Sequence, residues 1–174
     1  MKLNRKWLNE DFVDLSAVSD KEFVETLTVF GQKVETWERM DAEMKNVVVG
    51  RVLSMVRHPN SDHMFICQVD VGKDEPVQIV TGAQNVHEGD LVPAALHNSW
   101  LPGGVHITKG KLRGEVSNGM LCSFAELGLT QNDLPGVFAD GIWILEPDSA
   151  KPGDDINPII GNDDTIVDFE ITNN

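Results

Sequence analysis

The stretch Val47–Gly72 constrains the fold most, because it has the pattern of two strands joined by a turn. Its first half is V-V-V-G-R-V-L-S-M-V-R and its second half is M-F-I-C-Q-V-D-V-G. In both halves apolar β-branched residues alternate with polar ones, which is typical of strands that bury one face. The connecting residues H-P-N-S-D-H favour a turn, since Pro59 has no N–H and Asn, Ser and Asp bond to nearby backbone. The stretch therefore predicts a β-hairpin.

Gly50 interrupts the first strand, and a glycine inside a strand predicts a bulge or a sharp bend. A bend of this kind lets a long strand curl into a barrel. Short strands at close spacing, within about 80 residues, predict a small barrel of the OB type. The further strands are predicted at Pro76–Val80, at Leu91–Leu96 and, as a short extended piece, at Val105–Ile107. The last strand is predicted from two pieces, Lys111–Gly114 and Ser117–Ser123, interrupted at Glu115.

Helices and strands are also predicted on both sides of the barrel. Ser19–Glu22 has the spacing of a capping box, and Phe23, Leu27 and Phe30 follow at helical spacing. The other flanking elements are a short helix within Lys2–Asp14 and strands at Lys33–Arg39, Ile142–Leu145 and Thr165–Ile171. The predicted fold class is mainly β (α+β overall), with a five-stranded OB-type barrel inserted into a small discontinuous α+β domain. We predict that residues 1–40 and 148–174 form that domain and that residues 41–147 form the barrel.

Charge is distributed unevenly along the chain. The formal net charge is −14. Residues 47–123 hold seven acidic and six basic residues, which gives −1, together with all five histidines. The flanks therefore carry −13, and this contrast indicates an inserted module. So negative a total argues against attraction of the whole surface to nucleic acid or to an anionic membrane.

The sequence predicts a soluble, non-catalytic chain in the cytoplasm. Cys67 and Cys122 lack CxxC spacing, no secretory segment precedes them, and no apolar run approaches the roughly 20 residues of a membrane span. His58, Asp62 and His63 offer too few ligands for zinc and cannot align as a hydrolytic triad within one turn. No glycine-rich phosphate loop opens a helix. We therefore expect no catalytic site, no metal and no cofactor.

Seven ordered strings resemble the N-terminal part of the bacterial phenylalanyl-tRNA synthetase β subunit, over essentially the whole chain. The central segment is similar to the tRNA-binding OB domain of that family. The strings are M-K-L-x-x-x-W-L (1–8), H-P-N-S-D (58–62), V-D-V-G (69–72), I-V-T-G-A-Q-N-V (79–86), L-P-G-G (101–104), K-L-R-G (111–114) and S-N-G-M-L-C-S (117–123). The resemblance implies that tRNA is a partner, together with the synthetase α subunit and the remainder of the β subunit in a heterotetramer. It implies no membrane and no DNA, and it assigns aminoacylation with ATP and magnesium to the parent complex.

The resemblance also points to a binding surface, because OB barrels bind nucleic acid on strands 2–3 and the loops beside them. We expect phosphate contacts from the basic side chains and neutral hydrogen bonds from the others. His63 stands where relatives often carry lysine. The candidate tRNA-binding residues are Arg57, His58, Asn60, His63, Lys109, Lys111, Arg113, Ser117 and Asn118.

Aromatic residues are scarce in the predicted barrel, where only Phe65 and Trp100 are expected to present rings. Because single-strand binding depends on base stacking, recognition of the backbone and shape of folded tRNA fits better. Two alternatives stay open. One is a free-standing tRNA-binding protein, and the other is a structural interaction domain without affinity for nucleic acid.

Overall fold

The computed structural model describes residues 1–130, 132–133 and 140–171. Contacts within the chain separate two compact units, one formed by Met1–Ala42 with the residues from Ile160 onward, the other by Glu43–Ile159. The boundaries drawn from the sequence, at residues 40/41 and 147/148, stay a prediction. None of the helices in the described part of the chain is long and apolar enough to cross a membrane.

The first unit is a three-stranded antiparallel sheet with helices against one face. Strand β11 (Thr165–Phe169) lies between β1 (Lys2–Asn4) and β2 (Val34–Arg39). Phe23, Val167 and Phe169 form its buried core. Ser19 caps the second helix, since its Oγ accepts the Glu22 N–H at 3.2 Å, as the capping box predicts. The elements are β1 (Lys2–Asn4), α1 (Arg5–Asp11), α2 (Asp20–Phe30), β2 (Val34–Arg39), a 3₁₀ turn (Met40–Ala42) and β11 (Thr165–Phe169).

The second unit is built around the long strand β3 (Lys45–Arg57), which pairs with β4 (Phe65–Asp70) on one side and β6 (Leu91–Leu101) on the other. Strand β5 (Val77–Thr81) follows β4, β10 (Gly119–Leu121) pairs with β6, and β7 (Val105–Ile107) adds to the end of β6, so the sheet runs β10-β6-β3-β4-β5. Its elements are β3 (Lys45–Arg57), β4 (Phe65–Asp70), β5 (Val77–Thr81), β6 (Leu91–Leu101), β7 (Val105–Ile107), β8 (Gly110–Leu112), β9 (Glu115–Ser117), β10 (Gly119–Leu121), a 3₁₀ turn (Ala125–Leu127) and α3 (Ile156–Ile159).

Hydrogen bonds join the ends of this sheet. Asn118 N–H donates to the Gln78 carbonyl at 2.9 Å, and the Val80 N–H donates to Ser117 Oγ at 3.0 Å. The five strands β3, β4, β5, β10 and β6 thus curl round in the OB strand order. Apolar side chains from every strand fill the interior, with Val52, Cys67, Val69, Ile79, Val92 and Leu121 almost fully buried. The predicted mainly-β fold of OB type is confirmed.

Of the two alternatives predicted at Gly50, a bulge or a sharp bend, the bulge is wrong. Pairing between β3 and β6 is regular across Gly50, and the irregularity between β3 and β4 lies between Val52 and Ser54. The glycine serves close packing instead. A Cβ atom at this position would lie 2.5 Å from Val69 Cγ1, which is far inside van der Waals contact. Gly50 is therefore needed because the barrel interior leaves no room for a side chain.

Three other elements differ from the sequence-based expectation. Residues 142–145 form no strand, and only single bridges hold Ile142 to Ser123 and Leu145 to Leu91. The predicted helix within Lys2–Asp14 is shorter, because β1 precedes it. The predicted final strand folds instead as a hairpin, β8–β9, followed by β10. This hairpin helps to form the candidate site.

Candidate nucleic-acid interface

The loop 58–63 and the β8–β9 hairpin lie together at one end of the barrel, where His58 joins them. His58 is buried, with 3% of its surface exposed. Its Nδ1 accepts the Asn60 N–H at 3.0 Å, and its Nε2 lies 2.9 Å from the Leu112 carbonyl oxygen. Because Nδ1 accepts, the proton resides on Nε2, which donates to Leu112. The imidazole therefore links the loop to the hairpin.

A reciprocal pair of hydrogen bonds reinforces this link. Asn60 Nδ2 donates to the Arg113 carbonyl at 3.3 Å, and Arg113 Nη1 donates to the Asn60 carbonyl at 3.2 Å. With the His58–Leu112 bond, these form what we call the interloop bonds. They hold Arg113 beside the loop 58–63.

The hairpin turn explains why Arg113 occupies that position. Arg113 and Gly114 have φ angles of +48° and +99°, both in the left-handed region. Successive positive φ angles match the tight two-residue turns that join twisted strands. Gly114 adopts this conformation without strain, whereas Arg113 is an uncommon residue there. The sequence R-G therefore forms a turn for which N-G or D-G is the usual signal.

The predicted basic residues are exposed around these loops. Arg57 ends β3, its Nη1 donates to the Asp62 carbonyl at 3.3 Å, and its guanidinium lies 5.7 Å from the centre of the Phe65 ring. Lys109 and Lys111 are exposed on and beside β8. Among the described residues, no carboxylate forms an ion pair with any of these side chains or with Arg113. Their charges are available to an anionic ligand.

The first unit shows the opposite arrangement. Arg5, Lys6 and Arg39 are each within 2.9 Å of an aspartate. Burial acts to raise the pKa of Asp20, but hydrogen bonds from Thr165 and Arg39 and the charge of Arg5 outweigh it and hold that pKa below its usual range. Cations in that unit serve structure.

The other candidate residues differ in how accessible they are. Ser117 is buried. Its Oγ accepts a hydrogen bond from the Val80 N–H and donates one to the Gly119 carbonyl at 2.8 Å. Asn118 is half-buried against Gln78. His63 is exposed, and its carbonyl accepts from Gln84 Nε2 at 2.9 Å. Thus Asn60 and His63 present side chains to solvent, whereas His58 and Ser117 support the backbone from inside.

Trp100, which the sequence predicts to present a ring, has a stacking partner that the sequence did not identify. Trp100, 41% exposed, stacks on His106 with ring centres 4.3 Å apart and planes inclined by 11°. His106 Nε2 lies 2.8 Å from Asn98 Oδ1, which fixes the imidazole in this orientation. The predicted fourth strand ended at Leu96, so the register that places Trp100 opposite His106 was not available.

Neither cysteine has an activated thiol. Burial raises the pKa of the Cys67 thiol to about 11 and that of Cys122 to about 12, so both stay protonated near neutral pH. Nowhere in residues 1–130, 132–133 and 140–171 do three or more His, Cys, Asp or Glu side chains group as metal ligands would. The site instead has the composition of a surface for anions.

Similar proteins were found over the whole chain. The chain is 48% identical over 174 residues to the phenylalanine–tRNA ligase β subunit of Clostridium acetobutylicum and 44% identical to that of Clostridium tetani. It covers 21% of the length of each, so it spans about a fifth of the curated relatives it matches. The C-terminal domain of Plasmodium vivax p43 is 22% identical with a TM-score of 0.44, over 65% of this chain and 59% of that one.

The central unit also matches a family model. The matched residues are 47–153, which is more than half of the chain. They contain the β3–β4 hairpin, the loop 58–63 and the β8–β9 hairpin, and therefore every candidate residue described above. The chain belongs to the tRNA-binding domain family whose model is described as "Putative tRNA binding domain".

Proposed function

We propose that this chain binds tRNA, as a module of a phenylalanine–tRNA ligase β subunit. The supporting observation is the set of cations at one end of the barrel, Arg57, Lys109, Lys111 and Arg113, which form no ion pair with any described carboxylate. Phosphate oxygens are the natural ligands of such groups, and arginine binds them with two parallel hydrogen bonds.

The candidate residues then divide into three roles. Arg57, Lys109, Lys111 and Arg113 bind phosphates, while Asn60, His63 and Asn118 donate or accept hydrogen bonds at the edge of the surface. His58 and Ser117 are buried and act as positioning residues. Contacts of this kind read the backbone and shape of a folded RNA.

The larger protein is proposed by similarity. Relatives about five times as long are phenylalanine–tRNA ligase β subunits. In this proposal the parent complex attaches phenylalanine to tRNA with ATP and magnesium in the cytoplasm, as a heterotetramer with an α subunit. The present chain supplies tRNA binding and scaffolding but no catalytic group, and it does not bind DNA. Similarity along the entire chain, flanks included, favours this over a free-standing tRNA-binding protein or a purely structural domain.

A salt titration tests the binding proposal. Each phosphate contact releases counterions, so the logarithm of affinity falls by about 0.7–0.9 per contact for each tenfold rise in salt. We expect Arg57→Ala and Arg113→Ala each to weaken tRNA binding several-fold and to reduce the slope by about 1. Lys73→Ala is the matched control, because Lys73 lies in the β4–β5 turn, at the opposite end of these strands from the loop 58–63.

The outcomes separate the alternatives. A slope that falls for both arginine variants and not for Lys73→Ala supports tRNA binding at these loops. No salt-dependent binding by the unaltered chain would leave the structural-domain alternative. Equal affinity for a DNA duplex of the same length would contradict the choice of RNA as the ligand.

A further inference from the structure

A groove of about 310 Å³ lies beside the proposed phosphate-binding surface. It lies within the second unit, and the β7 strand and the β8–β9 hairpin contribute to its walls. Its lining residues include His106, Ile107, Lys111, Leu112, Gly119 and Met120. Of the four side chains proposed to bind phosphate, only Lys111 borders this space. Its size is near the lower end of sites for small organic groups, which occupy about 300–1,000 Å³.

The groove has the chemistry of a site for a flat aromatic ring. One face of the His106 imidazole is covered by Trp100, and His106 also lines the groove. The hydrogen bond to Asn98 holds the imidazole in place before any ligand arrives. Leu112 and Met120 supply apolar surface for the edges of a ring. A rigid stacked pair with apolar neighbours favours planar ligands.

The positive charge around the groove favours a ligand that carries negative charge. The segment 105–120 contains Lys109, Lys111 and Arg113 against a single acid, Glu115, so its formal charge is +2 in a chain of −14. Lys111 both lines the groove and is exposed, with no ion-pair partner among the residues that the structure describes. A flat ring with a phosphate attached satisfies both features, and a nucleotide is such a ligand.

We propose that this groove holds one unstacked nucleobase of the bound tRNA, packed against His106, with the adjacent phosphate on Lys111. This inference rests on the proposed function and adds to it a base-binding subsite. Unpaired bases in RNA loops are the ones free to leave the stack and pack on aromatic or imidazole rings. The tRNA therefore contributes an unpaired base as well as its backbone.

Filling the groove tests this directly. Gly110 lines the groove, and a Cβ atom there would meet nothing within 4 Å, so Gly110→Leu adds a side chain without a clash. Gly82→Leu is the matched control, because Gly82 also has open space and does not line the groove. His106→Ala is a second variant, which removes the ring but leaves the groove open.

The RNA probes are a tRNA and a blunt-ended duplex RNA without unpaired bases. We expect Gly110→Leu and His106→Ala each to weaken tRNA binding by about fivefold or more, which is the lower range for one stacked base. Gly82→Leu changes tRNA affinity less than twofold. Neither Gly110→Leu nor His106→Ala changes affinity for the duplex, which has no base to insert.

Other results would overturn the subsite and are distinguishable from failure of tRNA binding itself. If both groove variants bind tRNA like the unaltered chain while Arg57→Ala and Arg113→Ala do not, the groove is empty in the complex and the proposed function stands. Equal losses for tRNA and duplex would show that the hairpin contacts only the backbone. If the unaltered chain shows no salt-dependent tRNA binding, the proposed function fails first.

Discussion

His58→Ala is the sharpest test of how the candidate site is built. The substitution removes the Asn60 N–H to Nδ1 bond within the loop and the Nε2–H to Leu112 bond between loop and hairpin. It also deletes a ring that is 97% buried. The loop and the hairpin then remain connected only by the two bonds between Asn60 and Arg113.

The expected loss of stability follows from these contacts. Two hydrogen bonds contribute about 2 kcal/mol together. The space left by the buried ring adds about 1 kcal/mol, at the low end for core truncations because surface loops relax. Leu112 is exposed, so its carbonyl regains water and adds no desolvation penalty. We expect the free energy of unfolding to fall by about 3 kcal/mol.

Chemical denaturation measures this loss, with His63→Ala as control. His63 lies in the same loop but is exposed, and its contacts to Ser61 and Gln84 use backbone atoms. Its truncation should change the free energy of unfolding by less than about 0.5 kcal/mol. A loss below 1 kcal/mol for His58→Ala would refute the role assigned to the imidazole.

Two polar replacements separate the His58–Asn60 bond within the loop from the His58–Leu112 bond between the loop and the hairpin. A glutamine side chain carries an N–H donor near the position of Nε2, whereas an asparagine carries an acceptor near that of Nδ1. We expect His58→Gln to retain more tRNA affinity than His58→Asn, because only the former reaches the Leu112 carbonyl. The opposite order of affinities would mean that the His58–Leu112 bond does not position Arg113.

Two further predictions concern stability. Gly50→Val should lower the free energy of unfolding by about 3 kcal/mol, because the added Cβ would lie 2.5 Å from Val69 Cγ1 in the barrel interior. Asp20→Asn should cost about 2 kcal/mol at pH 7, since the carboxylate accepts hydrogen bonds from Arg5 and Arg39 at 2.9 Å each. The folded-state pKa of Asp20 is depressed, so its contribution is fully present above the ordinary carboxyl pKa and is lost as pH falls through the folded value. The difference between Asp20→Asn and the unaltered chain should therefore shrink in acid.

A matched variant serves as the control for each of these two substitutions. Gly82→Val places its Cβ in open space and should leave the melting temperature unchanged. If it destabilises the chain as much as Gly50→Val, the clash with Val69 is not the cause. Asp168→Asn removes a partly exposed carboxylate paired with the terminal ammonium. A pH-independent gap between Asp20→Asn and the unaltered chain would contradict the assignment to ionisation.

The fold was predictable where the spacing of apolar residues and the turn or capping residues indicate the same element. The β3–β4 hairpin, β5 and β11 follow from alternation of apolar residues, and α2 follows from its capping box. The failures occur where the local signal is weak or is overridden by packing. Gly50 has the sequence context of a bulge glycine, yet a glycine is needed there because Val69 lies so close. Val69 is about 20 residues away in sequence, so this contact becomes visible only once β3 and β4 are paired.

The site was predictable in residue type more than in role. Basic side chains near OB loops were identified from the pattern, but nothing in the sequence indicates that His58 and Ser117 are buried. Burial there depends on the β8–β9 hairpin, whose R-G turn lacks the usual signal. His106 was missed for a similar reason, since its partner Trp100 lies on a part of β6 that extends beyond the predicted strand.

The net charge and the proposed ligand agree once charge is considered locally. At physiological ionic strength the Debye length is about 8 Å, so a phosphate responds mainly to charges within that distance. The charged residues of the segment 105–120 are Lys109, Lys111 and Arg113, with Glu115 opposing them, although the whole chain carries −14. Because the interloop bonds fix Arg113 beside the loop that follows Arg57, the site concentrates positive charge by geometry rather than by composition. A chain of this composition can therefore bind tRNA at one surface while the rest of it repels nucleic acid, which restricts binding to the correctly oriented encounter.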